Sequence, residues 1–304
     1  MTPLFSVIIP VFNRADILER GIRSVLAQTC QDFEIVVVDD GSRDHPEEVV
    51  AKIGDPRVRI VHQKNAGGAA ARNRGFDEAR GRFVALLDSD DEFLPHHLEN
   101  MRKLLEGTTN TVGYARMIVD RGNGVTMLKP PRAIRPGEHM GTYLLCDRGF
   151  VPTITLALSA ETARRVRYGG WRPAEDTDFA LRLFVAGCDF RMIEEPGAIW
   201  NDVHDPKRTS AGRKGHDLIP WIEQMKPNIP RRAYYGGFGW AIAKGAVVQR
   251  PWHAFYYYLR AVLHGCYNPR LAAIIFLQIF LPDRLYRRIA DRAIPFVPRR
   301  GVSA

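Results

Sequence analysis

Cysteine is scarce and widely spaced in this chain. Of 304 residues only Cys30, Cys146, Cys188 and Cys266 carry thiols. No C-x-x-C pair exists among them, which argues against a zinc ribbon and against a disulfide scaffold. A reducing compartment is the corresponding expectation. Long apolar runs are missing as well. No stretch of about 18 uncharged apolar residues occurs, so a spanning helix is not expected. Met1-Thr2-Pro3 lacks a basic n-region, and Val7–Val11 is short and cut by Pro10, so no secretory signal is read at the start. Neither G-x-G-x-x-G nor a P-loop is present, which leaves a dehydrogenase weakly supported. Gly 26 and Pro 20 are too few for a low-complexity or collagen-like chain. What remains is an ordinary globular composition, 45% apolar and 25% charged.

The net charge of +9 is unevenly placed. From Asp205 onward there are 17 Lys/Arg against 5 Asp/Glu, whereas residues 1–204 hold 26 basic and 29 acidic residues. Such asymmetry predicts different surroundings for the two portions. For the basic portion, nucleic acid and an anionic membrane surface are the candidates.

Strand and helix signals alternate through the first third. Strands are expected at Phe5–Val11, Glu34–Val38, Val58–His62 and Phe83–Leu87. The helices between and after them are expected at Ala15–Gln28, Pro46–Ile53, Gly67–Ala79 and Pro95–Leu105. Uniformly apolar strands alternating with helices predict an α/β fold with a mostly parallel sheet. Beyond it, strands are expected at Val112–Val119, Thr153–Leu158 and Phe190–Glu194, a loop at Arg121–Gly137, and helices at Ala160–Val166 and Thr177–Ala186. After Pro206 the segments Trp221–Met225, Arg232–Gly245, Trp252–Leu263, Leu271–Phe280 and Arg284–Ala293 read as helices.

Two acidic clusters directly follow apolar strands: Val38-Asp39-Asp40-Gly41-Ser42 and Leu87-Asp88-Ser89-Asp90-Asp91. Each alone could start a turn and cap a helix. Together, after neighbouring strands, they predict a site at the carboxyl edge of the sheet. Asp88 and Asp90 form an Asp-x-Asp pair whose oxygens suit Mg²⁺ or Mn²⁺ carrying a diphosphate. Between the clusters, Lys64–Asn73 offers small residues and a helix start, read as a helix entry or as an approach to an anion. A third acidic pair, Glu175-Asp176, follows Gly169-Gly170-Trp171-Arg172-Pro173. It is either a favourable charge at a helix start or a general base for an attacking hydroxyl.

In this order the motifs resemble family 2 of the glycosyltransferases. Phe5–Asn13 resembles the family's opening strand and Val36–Ser42 its nucleotide-binding second strand. Asn65–Gly75 is similar to its Gly-rich segment, Leu86–Asp91 to its Asp-x-Asp motif, and Gly169–Arg182 to its GG-W…ED…LR segment. The resemblance covers roughly residues 4–205. It implies a GT-A-type, Rossmann-like sheet flanked by helices, and an inverting transferase that uses a nucleotide-sugar donor, UDP being the commonest nucleotide. It implies donor contacts from Pro10, Phe12, Asn13, Arg14, Asp39, Asp40, Gly67, Arg72, Asp88 and Ser89, with Asp40 shaping its turn. Asp90, Asp88 and His204 become the metal ligands, Asp176 the base and Glu175 an acceptor-orienting neighbour. Trp171 is placed against a sugar or in the core. Lys207 and Arg208 are either diphosphate partners or solvated charges.

The implied organisation is a catalytic domain over 1–205 and a basic, mainly helical region over 206–304. Within the first, the donor half covers about 1–106 and the acceptor half about 107–205. In the basic region, Trp252–Arg260 and Leu271–Leu281, flanked by arginines, suit a helix lying in a membrane interface, or a bundle packed on the catalytic domain. The acceptor expected is a glycan or lipid-linked precursor. The expected location is the cytoplasm, at the inner face of the membrane; with no nucleic-acid motif present, nucleic acid is not an expected partner. Two rivals are a nucleotidyltransferase and a catalytically silent membrane-binding scaffold.

Overall fold

The computed structural model describes residues 2–122, 124–172, 174–202, 218–283, 285–286 and 288–289. Its organising element is a nine-stranded sheet in the order β3-β2-β1-β4-β8-β6-β9-β5, with β7 paired to β6. The first strands are β1 (Phe5–Val11), β2 (Phe33–Asp39), β3 (Val58–His62) and β4 (Phe83–Leu86). All pair in parallel, with β1 between β2 and β4. Every residue of β2 is buried, as expected of a strand covered on both faces.

Helices α1 (Ala15–Leu26), α2 (Pro46–Ile53) and α3 (Gly68–Glu78) connect them. Residue 75 decides how closely α3 lies on the sheet: a Cβ there would come 2.2 Å from Ile8 Cγ2. Gly75 therefore lets the helix backbone settle on β1 where any side chain would push it away.

The second half is a mixed sheet with a different texture. It comprises β5 (Glu92–Phe93), α4 (His97–Leu105), β6 (Thr111–Asp120), β7 (Thr126–Lys129), α5 (Met140–Cys146), β8 (Ala157–Ser159), α6 (Ala160–Val166), α7 (Glu175–Val185) and β9 (Asp189–Asn201). The loop expected over Arg121–Gly137 contains β7, antiparallel to β6. The strand expected over Thr153–Leu158 begins as a 3₁₀ turn, Thr153–Thr155, and only then becomes β8. Strand β9 runs well past Glu194. Its register on β6 slips between Ile193 and Pro196, so Glu194 and Glu195 form a bulge and pairing resumes. Proline without an N–H is tolerated at such a bulge.

The C-terminal region is helical: α8 (Ile219–Met225), α9 (Arg231–Gly237), a π-type turn at Phe238–Ile242, α10 (Ala243–Ala246), α11 (Pro251–Leu263) and α12 (Pro269–Phe280). Trp221 and Ile222 of α8 and Ala233 of α9 share one apolar core with α5 and α7, whereas α11 and α12 pack in a separate cluster around Ala254, Ala261 and Ile275. The expected helix at Arg284–Ala293 lies mostly outside the described residues, as does the boundary near 205.

His97 opens α4 with a ring buried against Phe93, centroids 4.4 Å apart, and neither ring nitrogen has a hydrogen-bond partner. Burial pushes its pKa down to about 3. The unfolded chain binds that proton from about pH 6.5 downward, so folding stability is lost as pH falls from there toward 3. At pH 5 the loss from this one group is about 2 kcal/mol. His97→Phe should remove that part of the pH dependence in urea titrations at pH 8 and pH 5. Equal slopes with pH in both proteins would contradict this account.

Candidate active site

Strand β1 pairs with β2 on one side and β4 on the other, so the direction of winding reverses at β1. Crevices open at such a reversal, beyond the carboxyl ends of the strands. A cavity of about 490 Å³ lies there, a size that suits a nucleotide-like ligand. The end of β1 contributes Pro10, Phe12 and Arg14, and the end of β4 contributes Asp88, Ser89 and Asp90. Asp40 follows β2, Arg72 comes from α3, and Glu175 with Asp176 from the first turn of α7. Phe12 is exposed, an aromatic face at the rim.

Arg72 joins the two sides. Its Nη2 donates to Asp88 Oδ1 at 2.7 Å and its Nη1 to Glu175 Oε2 at 3.1 Å. The side chain is buried, so both pairs sit in weakly screened surroundings. One guanidinium thus keeps carboxylates from distant parts of the chain in a single cavity. Arg14 pairs with Asp90, Nη1 to Oδ2 at 2.5 Å.

Asp176 stands apart in its electrostatics. Burial raises its pKa above the ordinary carboxylate value of 3.8; the Arg72 charge and the Thr153 hydroxyl oppose that shift, while Asp88 and Glu175 add to it. Thr153 Oγ1 donates to Asp176 Oδ1 at 2.6 Å and fixes the carboxylate's direction. A raised pKa makes the carboxylate a stronger base, the property a proton acceptor needs.

Asp88, Asp90 and Asp91 each offer one carboxylate oxygen, all within 4.8 Å of one another. This all-oxygen set fits a hard divalent cation. Asp91 is committed in part, since its Oδ1 accepts from Asn201 N at 2.9 Å.

Other expected residues serve the loops around the cavity. Asp40 accepts from the backbone N–H groups of Ala66 and Gly67, both at 2.8 Å, and so anchors the Gly-rich loop. Gly67 has φ +94°, a backbone conformation that favours glycine, and the guanidinium of Arg172 lies where a Cβ would stand. Asn13 donates from its backbone to Ser42 Oγ at 3.0 Å and accepts from Arg43 N at 2.9 Å, stapling the loops after β1 and β2. Asp39 lies behind the cavity wall. Burial favours its neutral form, but hydrogen bonds from Ser42 and His62 outweigh this and hold its pKa below the ordinary value. Trp171 packs against the main core and is not part of the cavity lining. His204, Lys207 and Arg208 lie outside the described residues.

Sequence reasoning missed Arg172 and Trp200, which line the cavity, and Thr153, which holds Asp176. Arg172 precedes α7 in the loop before Glu175, and its Nε lies 3.4 Å from Glu175 Oε1. Thr153 carried no signal in the sequence.

Behind the site, α7 is tied to the C-terminal helices. Asp178 is fully buried; its Oδ2 accepts from Arg182 Nε at 2.6 Å and its Oδ1 from Trp221 Nε1 of α8 at 2.9 Å. Trp221→Phe leaves that second oxygen buried without its donor. The expected cost is about 1–3 kcal/mol of stability, read as a lower urea midpoint. An unchanged midpoint would contradict the assignment of this bond.

A half-parallel, half-mixed sheet with carboxylates gathered at the winding reversal is the build of a GT-A glycosyltransferase. The family model described as Glycosyl transferase family 2 matches residues 6–160, and the chain belongs to that family. Over 245 residues it is 29% identical to the amylovoran biosynthesis glycosyltransferase AmsB of Erwinia amylovora, covering 76% of this chain and 80% of that one. The fold is similar to S. aureus TarS 1-349 in complex with UDP-GlcNAc, with TM-score 0.63, 15% identity, and coverage of 95% of this chain and 91% of that chain. It is also similar to the mannosyltransferase PcManGT of Pyrobaculum calidifontis in complex with GDP-Man and Mn²⁺, with TM-score 0.56, 19% identity, and coverage of 96% and 87%. At these identities the likeness speaks for the fold. The chain is a glycosyltransferase by family and by fold.

Proposed function

We propose that this enzyme moves a sugar from a nucleoside-diphosphate sugar, with UDP as the nucleotide, to an acceptor hydroxyl by one inverting displacement. The observation that carries this reading is the meeting of Asp88 and Asp90 with Glu175 and Asp176 across one cavity, held together by Arg72. A divalent cation, Mn²⁺ or Mg²⁺, bound by Asp90 and Asp88, and by His204 where it reaches the site, would stabilise the negative charge of the departing diphosphate.

The chain's own residues do the rest. Phe12 and Pro10 form the nucleobase end of the cavity, with Asp39, Asn13 and Asp40 fixing the loops around it. Arg14 exchanges its Asp90 partner for a donor phosphate. Ser89 lines the path of the donor, Gly67 shapes the Gly-rich loop beside Arg172, and Arg72 keeps Asp88 and Glu175 from repelling each other apart. Asp176 removes the proton from the acceptor hydroxyl as that oxygen bonds to C1 of the sugar and the bond from C1 to the diphosphate oxygen breaks. Glu175 orients the acceptor, and Trp171 supports the loop before it.

In this reading residues 1–106 carry the donor and 107–205 the acceptor, with 206–304 as a basic helical extension. The acceptor is a glycan or lipid-linked precursor, and the enzyme works at the inner face of the membrane. The nucleotide-bound complexes of TarS and PcManGT, and the Mn²⁺ of the latter, support the donor class and the cation. The test is turnover of UDP-, GDP-, dTDP- and CDP-sugars with and without chelator. Metal-dependent release of nucleoside diphosphate, with product of opposite anomeric configuration, supports the reading. Release of pyrophosphate would instead indicate nucleotidyl transfer.

A further inference from the structure

The outward face of α11 is built the wrong way round for water. Trp252, Phe255, Tyr256, Leu259 and Leu263 recur at helical spacing and all are exposed, Trp252 by 82% and Leu263 by 76%. The inward face instead carries Ala254 and Ala261, both fully buried. Packing there is close: a Cβ on Gly239 would come 2.2 Å from Ala261 Cβ. Small residues hold the helix against the protein while the large apolar ones point away.

Helix α12 extends the same face. Phe276 and Leu277 are exposed, and rings join the two helices, Phe255 to Phe280 at 6.2 Å and Tyr258 to Phe276 at 5.5 Å. Helices α11 and α12 hold no Asp or Glu but carry Arg260 and Arg270, and Arg250 directly precedes α11. Arg250 and Arg270 are exposed beside the apolar stripes. Two copies facing each other here would bring like charges together, so charge complementarity selects an anionic partner.

We propose that α11 and α12 dock on an anionic phospholipid bilayer, with the Trp252–Leu263 stripe entering the boundary between headgroups and acyl chains. Among the described residues no helix is long and apolar enough to cross a membrane. The 13 residues of α11 span about 20 Å, short of a hydrocarbon core of roughly 30 Å, so it lies in the plane. The basic residues supply attraction to the surface and the aromatic stripe supplies insertion. This deepens the proposed function, since it brings a lipid-linked acceptor to the enzyme, but its test does not depend on turnover.

The full chain is floated with vesicles of phosphatidylcholine alone or with one-third phosphatidylglycerol. Binding to the anionic vesicles and its weakening in high salt are expected. Trp252→Ser combined with Leu263→Ser should lower partitioning at least about tenfold. Both residues are exposed, so thermal melting and nucleotide binding should stay as in the parent. Arg250→Glu with Arg270→Glu should remove the preference for anionic vesicles. A parent chain that ignores both vesicle types would overturn the proposal. So would equal partitioning of the Trp252/Leu263 variant, or a dimer that this variant dissociates in a chain that binds no lipid.

Discussion

Asp176→Asn is expected to abolish transfer while leaving donor affinity nearly unchanged. The amide keeps the size of the side chain and can still accept from Thr153, so the cavity's shape is retained. What is lost is the proton acceptor, worth about 10²–10⁴ in rate. In the parent enzyme the acid limb of the rate profile should lie above 3.8, because burial raises the carboxyl's pKa. Activity should rise with pH through that limb as the carboxylate ionises. Thr153→Val removes a hydrogen bond that favours the ionised form, so it should move the limb further up. Equal losses of donor binding and turnover in Asp176→Asn would show a binding role in place of a base.

Asp90→Ala should act on the other half of the reaction. Donor binding in the presence of Mn²⁺ is expected to weaken at least about tenfold, because a hard cation loses an anionic oxygen ligand. The variant also removes the carboxylate that pairs with Arg14, and with Asp88 left as the remaining strand-end ligand the response of donor binding to metal should weaken together with the affinity. Affinity equal to the parent, with the same response to metal, would remove Asp90 from the donor site.

The parallel half of the sheet was legible in the sequence because its physics is local. Strands buried on both faces read as unbroken apolar runs, and Asp40 and Asp88 stand directly at their ends, where a parallel sheet gathers its ligands. The mixed half obeys no such rule. Strand β9 is partly exposed and bulged at Glu194 and Glu195, so its pattern breaks where the structure continues. Contacts such as Arg72 to Glu175, 103 residues apart, are set by the closed fold and leave no periodic trace. His97 is the sharpest case: the expected helix Pro95–Leu105 places it in the first turn with no sign of its burial, yet tertiary packing encloses it without a partner. The aromatic–basic character of the C-terminal helices was legible, but only the packing shows which side of α11 faces outward.

In the proposed reaction one cavity holds a nucleotide through carboxylates and a divalent cation. Calorimetric titration of UDP, GDP, dTDP and CDP into the protein, each with Mn²⁺ and with chelator, tests it most directly. Tight binding of one nucleotide, UDP, lost when the metal is chelated, is the expected result. Binding of none of the four, or binding indifferent to the metal, would contradict it.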